Sequence, residues 1–187
     1  VLLTVLAKLG YDLRVLATAA LSFPEFRSTA FVAMEEAVED RFPFPEKEKR
    51  DAYIAVRFDE WLGEREAAGR NVPFFCFAFA DAPHGDYAWP KDKTVFHPYV
   101  EHVDYVDLSG SPSKDLIQEV FNSYRNAVHF DDDVFGRMID ALERRLSADP
   151  PYGARVTVRR GSAEAGWHAP PELPWLAHAI DRASVAT

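Results

Sequence analysis

The chain has 187 residues, of which 48% are hydrophobic and 13% aromatic, and its formal net charge is −9. This length and apolar content suit one folded domain and exclude disorder for the bulk of the chain. The acidic balance argues against binding to the phosphate backbone of nucleic acids or to anionic lipids. The sequence holds one cysteine, Cys76, so it cannot form a disulfide within the chain.

The N-terminal part, residues 1–69, is predicted to be helical. Leucines at three- and four-residue steps in residues 2–20 line one face of a first helix. Ser22 and Glu25 have the spacing of a capping box and start a second helix, which extends to residue 42. Pro45 opens a third helix, which a glycine ends before residue 70.

The cellular environment is predicted from the N-terminus and the cysteine content. Lys8, Asp12 and Arg14 interrupt the apolar first helix, so we expect no membrane span there. The chain begins with Val1 rather than Met, which indicates N-terminal processing or a trimmed chain. Together with the single cysteine, this predicts a reducing intracellular compartment, either the cytoplasm or an organelle matrix.

The middle of the chain, residues 70–160, mixes strand and helix patterns. The apolar, aromatic run at 72–80 predicts a strand buried on both faces, with its cysteine as an inert thiol. A turn-rich stretch follows at 81–93. Residues 94–108 are predicted to form a further strand, which Pro98 interrupts.

Two more helices and a strand complete the predicted elements. Ser113 caps a fourth helix that reaches Val128, and Asp131 or Asp132 caps a fifth that ends near residue 146. Residues 154–160, ARVTVRR, alternate as a half-buried strand does.

These elements together predict one helix-rich α+β domain over residues 1–187. It contains about five helices and a small mixed or antiparallel sheet built from the segments near 72–80, 94–108 and 154–160. A Pro- and Trp-rich tail, residues 161–187, follows the last predicted strand.

The stretch VFHPYVEHVDY, residues 95–105, holds the first candidate chemical groups. A metal site would use His97, His102 and Asp104, while general acid–base chemistry would use His102 or Glu101. The spacing does not match the HExxH pattern of zinc enzymes. The competing interpretation is an edge strand whose polar residues face water.

Two other segments carry acidic groups and histidines. In HFDDDVFG, residues 129–136, Asp131 and Asp133 resemble the opening of an EF-hand loop, but the required acid at the end of that loop is replaced by Leu142. A helix start explains these aspartates. The turn at residues 83–90 contains His84, Asp86 and Tyr87, which either bond locally or contribute to a site.

No signature of a common enzyme class is present. The sequence contains no GxxxxGK[ST], GxGxxG, GxSxG or CxxC pattern, which excludes P-loop, dinucleotide-binding, serine-hydrolase-elbow and zinc-ribbon classes. The sequence therefore favours a non-catalytic protein–protein interaction function, as an accessory subunit of a larger assembly.

The predicted partners are other protein subunits or a second copy of the chain, and no cofactor is predicted. The tail residues Trp167, Trp175, Pro170 and Pro171 are candidates for partner binding, although the tail would equally cover its own core.

The alternative hypothesis is a metal-dependent hydrolase. It would use a His/Asp cluster within residues 84–133, with a divalent metal ion held by His97, His102 and Asp104. His84 or His129 would complete the cluster. Convergence of at least three of these side chains in one pocket would favour this hypothesis.

Overall fold

A small parallel sheet forms the centre of the molecule. The computed structural model describes residues 2–22 and 25–148. The strands are β1 (Asp12–Ala17), β2 (Val38–Glu39) and β3 (Phe74–Phe79), in the order β2-β1-β3. Both pairings are parallel, so β1 lies in the middle and its carboxyl end meets those of its two neighbours at one edge.

The described residues form five α-helices around this sheet. In chain order they are α1 (Leu2–Lys8), α2 (Phe26–Thr29), α3 (Lys47–Ala67), α4 (Tyr105–Ser109) and α5 (Lys114–Ala148), with two short 3-10 helices at Val32–Ala37 and Lys91–Lys93. The α+β class predicted from the sequence is confirmed, but the sheet is parallel rather than mixed or antiparallel. Within the described residues, no helix combines the length and apolar content needed to cross a membrane.

The two faces of β1 point into different apolar cores. Leu16 packs with apolar side chains of α3 and α5, whereas Val15 and Ala17 pack with Leu21, Phe31 and the segment around them. This alternation follows from the two-residue period of a strand. The sheet is therefore a layer between the α3–α5 pair and the N-terminal segments.

The predicted third helix is confirmed as α3. Its apolar side chains Ile54, Phe58, Trp61 and Leu62 recur at helical spacing and are at most 5% exposed. Arg65, on the same face, forms an ion pair with Asp12 of β1 and so ties the helix to the amino end of the sheet.

The predictions for the first two helices are wrong in large part. The first ends at Lys8, and Gly10 follows with a φ of +80°, a conformation that glycine adopts without strain. Residues 12–17 then form the central strand, because pairing on both sides outweighs a leucine spacing that also suits a helix. The second predicted helix is reduced to α2, a 3-10 helix and β2.

The fourth and fifth predicted helices are one continuous helix, α5. Asp131 lies in its interior and is 5% exposed, so it does not cap a helix start. No proline or glycine separates the two predicted segments, and the helix runs through them without a break.

The predicted strand at residues 94–108 is also wrong. This segment is a loop with a cis His97–Pro98 peptide bond, followed by α4. The predicted strand at 154–160 and the tail at 161–187 lie outside the described residues.

Candidate functional site

The candidate residues of the 95–105 stretch do not converge. His97, Glu101 and His102 are exposed, and the ring of His97 lies 5.5 Å from that of Tyr99. Asp104 caps α4, accepting hydrogen bonds from two backbone N–H groups of its first turn at 2.8 and 3.3 Å. Across residues 2–22 and 25–148, no three His, Cys, Asp or Glu side chains are arranged to hold a metal ion.

The other predicted site residues are also dispersed. His84 is exposed, and its Nδ1 lies 3.5 Å from Oδ1 of Asp81. Asp86 has a φ of +32° in the tight turn predicted for this segment. His129 lies elsewhere, on α5, where its ring packs edge-on against Phe96 at 6.3 Å.

Polar side chains of α5 hold the loop that precedes α4. Both groups of the Asn126 side chain bond to the loop main chain, with its Oδ1 accepting at 2.8 and 3.0 Å and its Nδ2 donating at 2.9 Å. Ser123 exchanges two hydrogen bonds with the loop main chain at 2.8 and 3.1 Å, and Asn122 donates one at 2.8 Å. All partners lie in residues 95–100. The helix thus supplies the hydrogen bonds that a neighbouring strand would otherwise provide.

Because α5 buries this polar stripe, a row of its apolar side chains faces outward. Ile117 and Phe121 are each 51% exposed, and Tyr124 and Val128 are each 40% exposed. We call these four residues the α5 seam.

The α5 seam has the spacing of a helix-pairing surface. Steps of four, three and four residues separate its members, as in the a and d positions of a coiled coil. The rings of Phe121 and Tyr124 stack with centroids 6.3 Å apart, and Tyr87 packs edge-on against Tyr124 at 5.6 Å. Exposed charges of opposite sign, Lys114 and Asp132, lie at the two ends of the seam.

A second candidate site lies at the carboxyl edge of the sheet. Thr18 follows β1 and Asp81 follows β3, while Asp51 of α3 and Asp131 of α5 approach from the helical layer. All four residues are buried, with exposures between 0% and 8%. Ligands of open parallel sheets bind in the crevice at this edge, between the two neighbouring strands at which the strand order reverses.

Asp51 binds the ends of the strands together. Its carboxyl group accepts hydrogen bonds from the Thr18 hydroxyl, from the backbone N–H of Asp81 at 3.1 Å and from that of Ala82 at 2.6 Å. Burial raises the pKa of Asp51, and these hydrogen bonds oppose that rise. Asp51 is thus the acceptor on which the turn after β3 depends.

The carboxylate of Asp81 faces three cationic or titratable groups. Nζ of Lys47 lies 3.7 Å away, Nη2 of Arg50 lies 3.6 Å away, and the His84 imidazole is close to its other oxygen. Asp81 therefore has its charge compensated within the protein.

Asp131 has no such cationic neighbour among the described residues. Burial, and then the charge of Asp51, raise its pKa to about 8, so its carboxyl group is mostly protonated at pH 7. Oδ1 of Asp131 is buried, and no side chain or backbone donor of the described residues binds it. A proton between the carboxyl groups of Asp131 and Asp51 supplies the missing partner, since two adjacent carboxylates cannot both stay ionised.

This carboxyl cluster is not predicted from the sequence. Asp81 alone carried a signal, because it directly follows the predicted strand at 72–80, where parallel sheets place functional groups. Asp51 and Asp131 lie within helices far apart in the chain. Comparison of the chain with protein-family models, with curated proteins and with solved structures found no match.

Proposed function

We propose that this chain is a self-associating protein–protein interaction module, in which α5 of one copy pairs with α5 of a second copy. The observation that carries the proposal is the α5 seam, because its four large apolar side chains face away from the core. A contiguous exposed apolar row rimmed by polar residues is typical of an interaction surface. The polar stripe on the opposite side of the helix is already used by the loop.

The charges at the ends of the seam favour a second copy of α5 as the partner helix. In an antiparallel, twofold pairing, Lys114 of one copy lies beside Asp132 of the other, and both such contacts form at once. A parallel pairing would instead place like charges together. The heptad spacing lets the apolar side chains of the two helices interlock over about 17 Å, at 1.5 Å per residue.

The decisive measurement is the solution mass of the native chain across a wide concentration range. We expect a dimer that dissociates on dilution. Replacing both Phe121 and Tyr124 by glutamate should give a monomer, because the charges would be buried without partners in the pairing. The matched control is Ile139→Glu, which changes a side chain that is 43% exposed on the same helix but outside the seam.

A charge exchange tests the geometry of the pairing. Lys114→Asp should weaken the dimer, and adding Asp132→Lys to the same chain should restore it, since both end contacts are then reversed. A native chain that stays monomeric at the highest concentration, or a double glutamate variant with unchanged mass, would refute the proposal.

The remaining functional predictions concern residues or groups that the described part of the chain does not bring together. Partner binding by Trp167, Trp175, Pro170 and Pro171 stays a prediction, because these residues lie outside it. The metal-dependent hydrolase also stays a prediction, with no ligand set among the described residues to carry it.

A further inference from the structure

The outer edge of β3 is open within the described part of the chain. In the order β2-β1-β3, β3 has β1 on one side and no neighbouring strand among the described residues on the other. β1 binds the main-chain groups of alternate residues, as when the N–H of Thr18 donates to the carbonyl of Phe79 at 2.9 Å. The N–H and C=O groups of Phe74, Cys76 and Ala78 therefore point outward, and no described residue binds them.

This edge lacks the features that protect exposed strands. β3 reads FFCFAF, with no charged residue and no proline, and its register with β1 is continuous, without a bulge. Natural edge strands carry such features or are covered, because a bare row of N–H and C=O groups pairs with other segments. Phe77 and Phe79 are each 37% exposed. An apolar, unprotected strand of this kind is typical of the interior of a parallel sheet.

The path of the chain favours a further strand on the outer side of β3. The connection through α3 leads from β2 across β1 to β3, and α5 packs on the same face of the sheet as α3, in one core with Leu16. A strand that follows α5 and adds outside β3 moves across the sheet in the same direction, so both connections have the same handedness. A strand added outside β2 would have the opposite handedness, against the strong preference of parallel connections for the right hand. The resulting order 2-1-3-4 is common in open parallel sheets.

The direction of α5 also suits a parallel neighbour of β3. Asp131 lies beside Asp51 at the carboxyl edge of the sheet, whereas Arg145 pairs with Glu66 in the last turn of α3. Arg65, next to Glu66, binds the first residue of β1. α5 therefore runs from the carboxyl edge toward the amino edge, which is where a strand parallel to β3 begins.

We propose that the open edge of β3 binds residues 154–160 of the same chain, a segment outside the described residues, as a fourth, parallel strand. The sequence of this segment, ARVTVRR, alternates as a strand with two different faces does. Residues 149–153, DPPYG, separate it from the end of α5. Their number and their two prolines and glycine are typical of a connection from a helix to a strand.

The segment supplies what the edge lacks. In this pairing its valines pack beneath Phe135 and Leu142 of α5, which are only partly buried in the core shared with α3. Its arginines lie on the opposite face, where Phe77 packs against Phe31, and suit the exposed aromatic rings there. The arginines also give the new edge the charges that prevent further pairing.

Amide hydrogen exchange of the full chain, followed residue by residue by NMR, tests the pairing. We expect the N–H groups of Phe74, Cys76 and Ala78 to exchange as slowly as the N–H groups of β3 that bind β1. An open edge would instead leave these three groups faster by about tenfold or more. Through-space NMR contacts between the backbone protons of residues 74–78 and 154–160, in the pattern of parallel strands, should accompany the slow exchange.

Two successive prolines interrupt the segment. N–H groups alternate in direction, so Val156→Pro together with Thr157→Pro removes a donor that faces β3 in any register. We expect exchange at the three outward N–H groups of β3 to speed up by about tenfold or more, while those that bind β1 stay slow. The matched control, Ala163→Pro together with Glu164→Pro, lies outside the segment and should leave exchange unchanged. If the first variant fails to fold, the backbone contacts of the native chain still decide the question.

The proposal does not depend on the pairing of α5, and a second copy at the edge is the competing occupant. The exchange measurement is therefore repeated with Phe121→Glu and Tyr124→Glu together, which alter the α5 seam and leave β3 unchanged. Slow exchange that does not vary with concentration in this variant would support a strand from the same chain. Protection lost on dilution, contacts between β3 of two copies, fast exchange in the native chain, or unchanged exchange in the variant with prolines at 156 and 157 would overturn the proposal.

Discussion

Replacing Asp51 by alanine should unfold the protein at a much lower urea concentration. The side chain is fully buried and is the acceptor for the Thr18 hydroxyl and for the backbone N–H groups of residues 81 and 82. A buried donor left without an acceptor costs about 1–3 kcal/mol, and the two N–H groups cannot turn toward water. Removing a buried carboxyl group next to Asp131 recovers part of this loss. We therefore expect a net loss of about 2–5 kcal/mol in the free energy of unfolding.

Two further variants show whether the hydrogen bonds cause this loss. Asp51→Asn keeps an acceptor oxygen for the N–H groups, so it should cost less than half as much as alanine. Asp59→Ala removes a partly exposed carboxylate of the same helix, paired with Arg145, and should cost about 1 kcal/mol or less. Urea unfolding followed by circular dichroism measures all three variants. An alanine variant within about 1 kcal/mol of the native chain, or an asparagine variant as unstable as alanine, would refute the reasoning.

Three other predictions follow from the burial of single side chains. As pH rises, the folded state keeps the proton of Asp131 after the unfolded chain has lost it, so the free energy of unfolding should fall between about pH 4 and about pH 8. The slope should be at most about 1.4 kcal/mol per pH unit. Urea titrations at several pH values measure this slope, and Asp131→Asn should flatten it. Asn126→Ala leaves the loop main chain without partners and should speed amide exchange at residues 95 and 96, whereas Gln118→Ala should not. Burial raises the pKa of Cys76 to about 12, so a thiol reagent at pH 8 should react slowly with the native protein and fast in urea.

The sequence predicts an element well where local pattern and tertiary packing agree. In α3 the predicted apolar stripe of Ile54, Phe58, Trp61 and Leu62 recurs at helical steps and faces the core, so the prediction from sequence is confirmed. In the first half of α5 they disagree, because Asn122, Ser123 and Asn126 are buried and Phe121 is exposed, whereas further along the helix Phe130, Val134 and Met138 face the core. Periodicity alone identifies the apolar side of such a helix as the core side, which is wrong for its first half.

The candidate site was beyond prediction from the sequence for a different reason. Asp51, Asp81 and Asp131 are separated by 30 and 50 positions, and only the order of the strands brings them together. Each of the three also has an ordinary local explanation, as a helix surface residue, a turn residue or a helix cap. Their proximity depends on β1 being a strand, and the leucine spacing of that segment predicts a helix.

The single helix α5 carries three separate surfaces, and its rotational register fixes all of them at once. The stripe that binds the loop lies on one side of this uninterrupted helix, and the outward seam and the carboxyl group of Asp131 lie away from it. Each residue added to a helix turns everything after it by about 100°. An insertion between Ser123 and Asn126 would therefore misalign the second half of α5 against the loop, the seam and Asp51 together. The loop is held by hydrogen bonds to its main chain, so a substitution there that keeps the packing of Phe96 and Tyr99 leaves the register of all three surfaces intact.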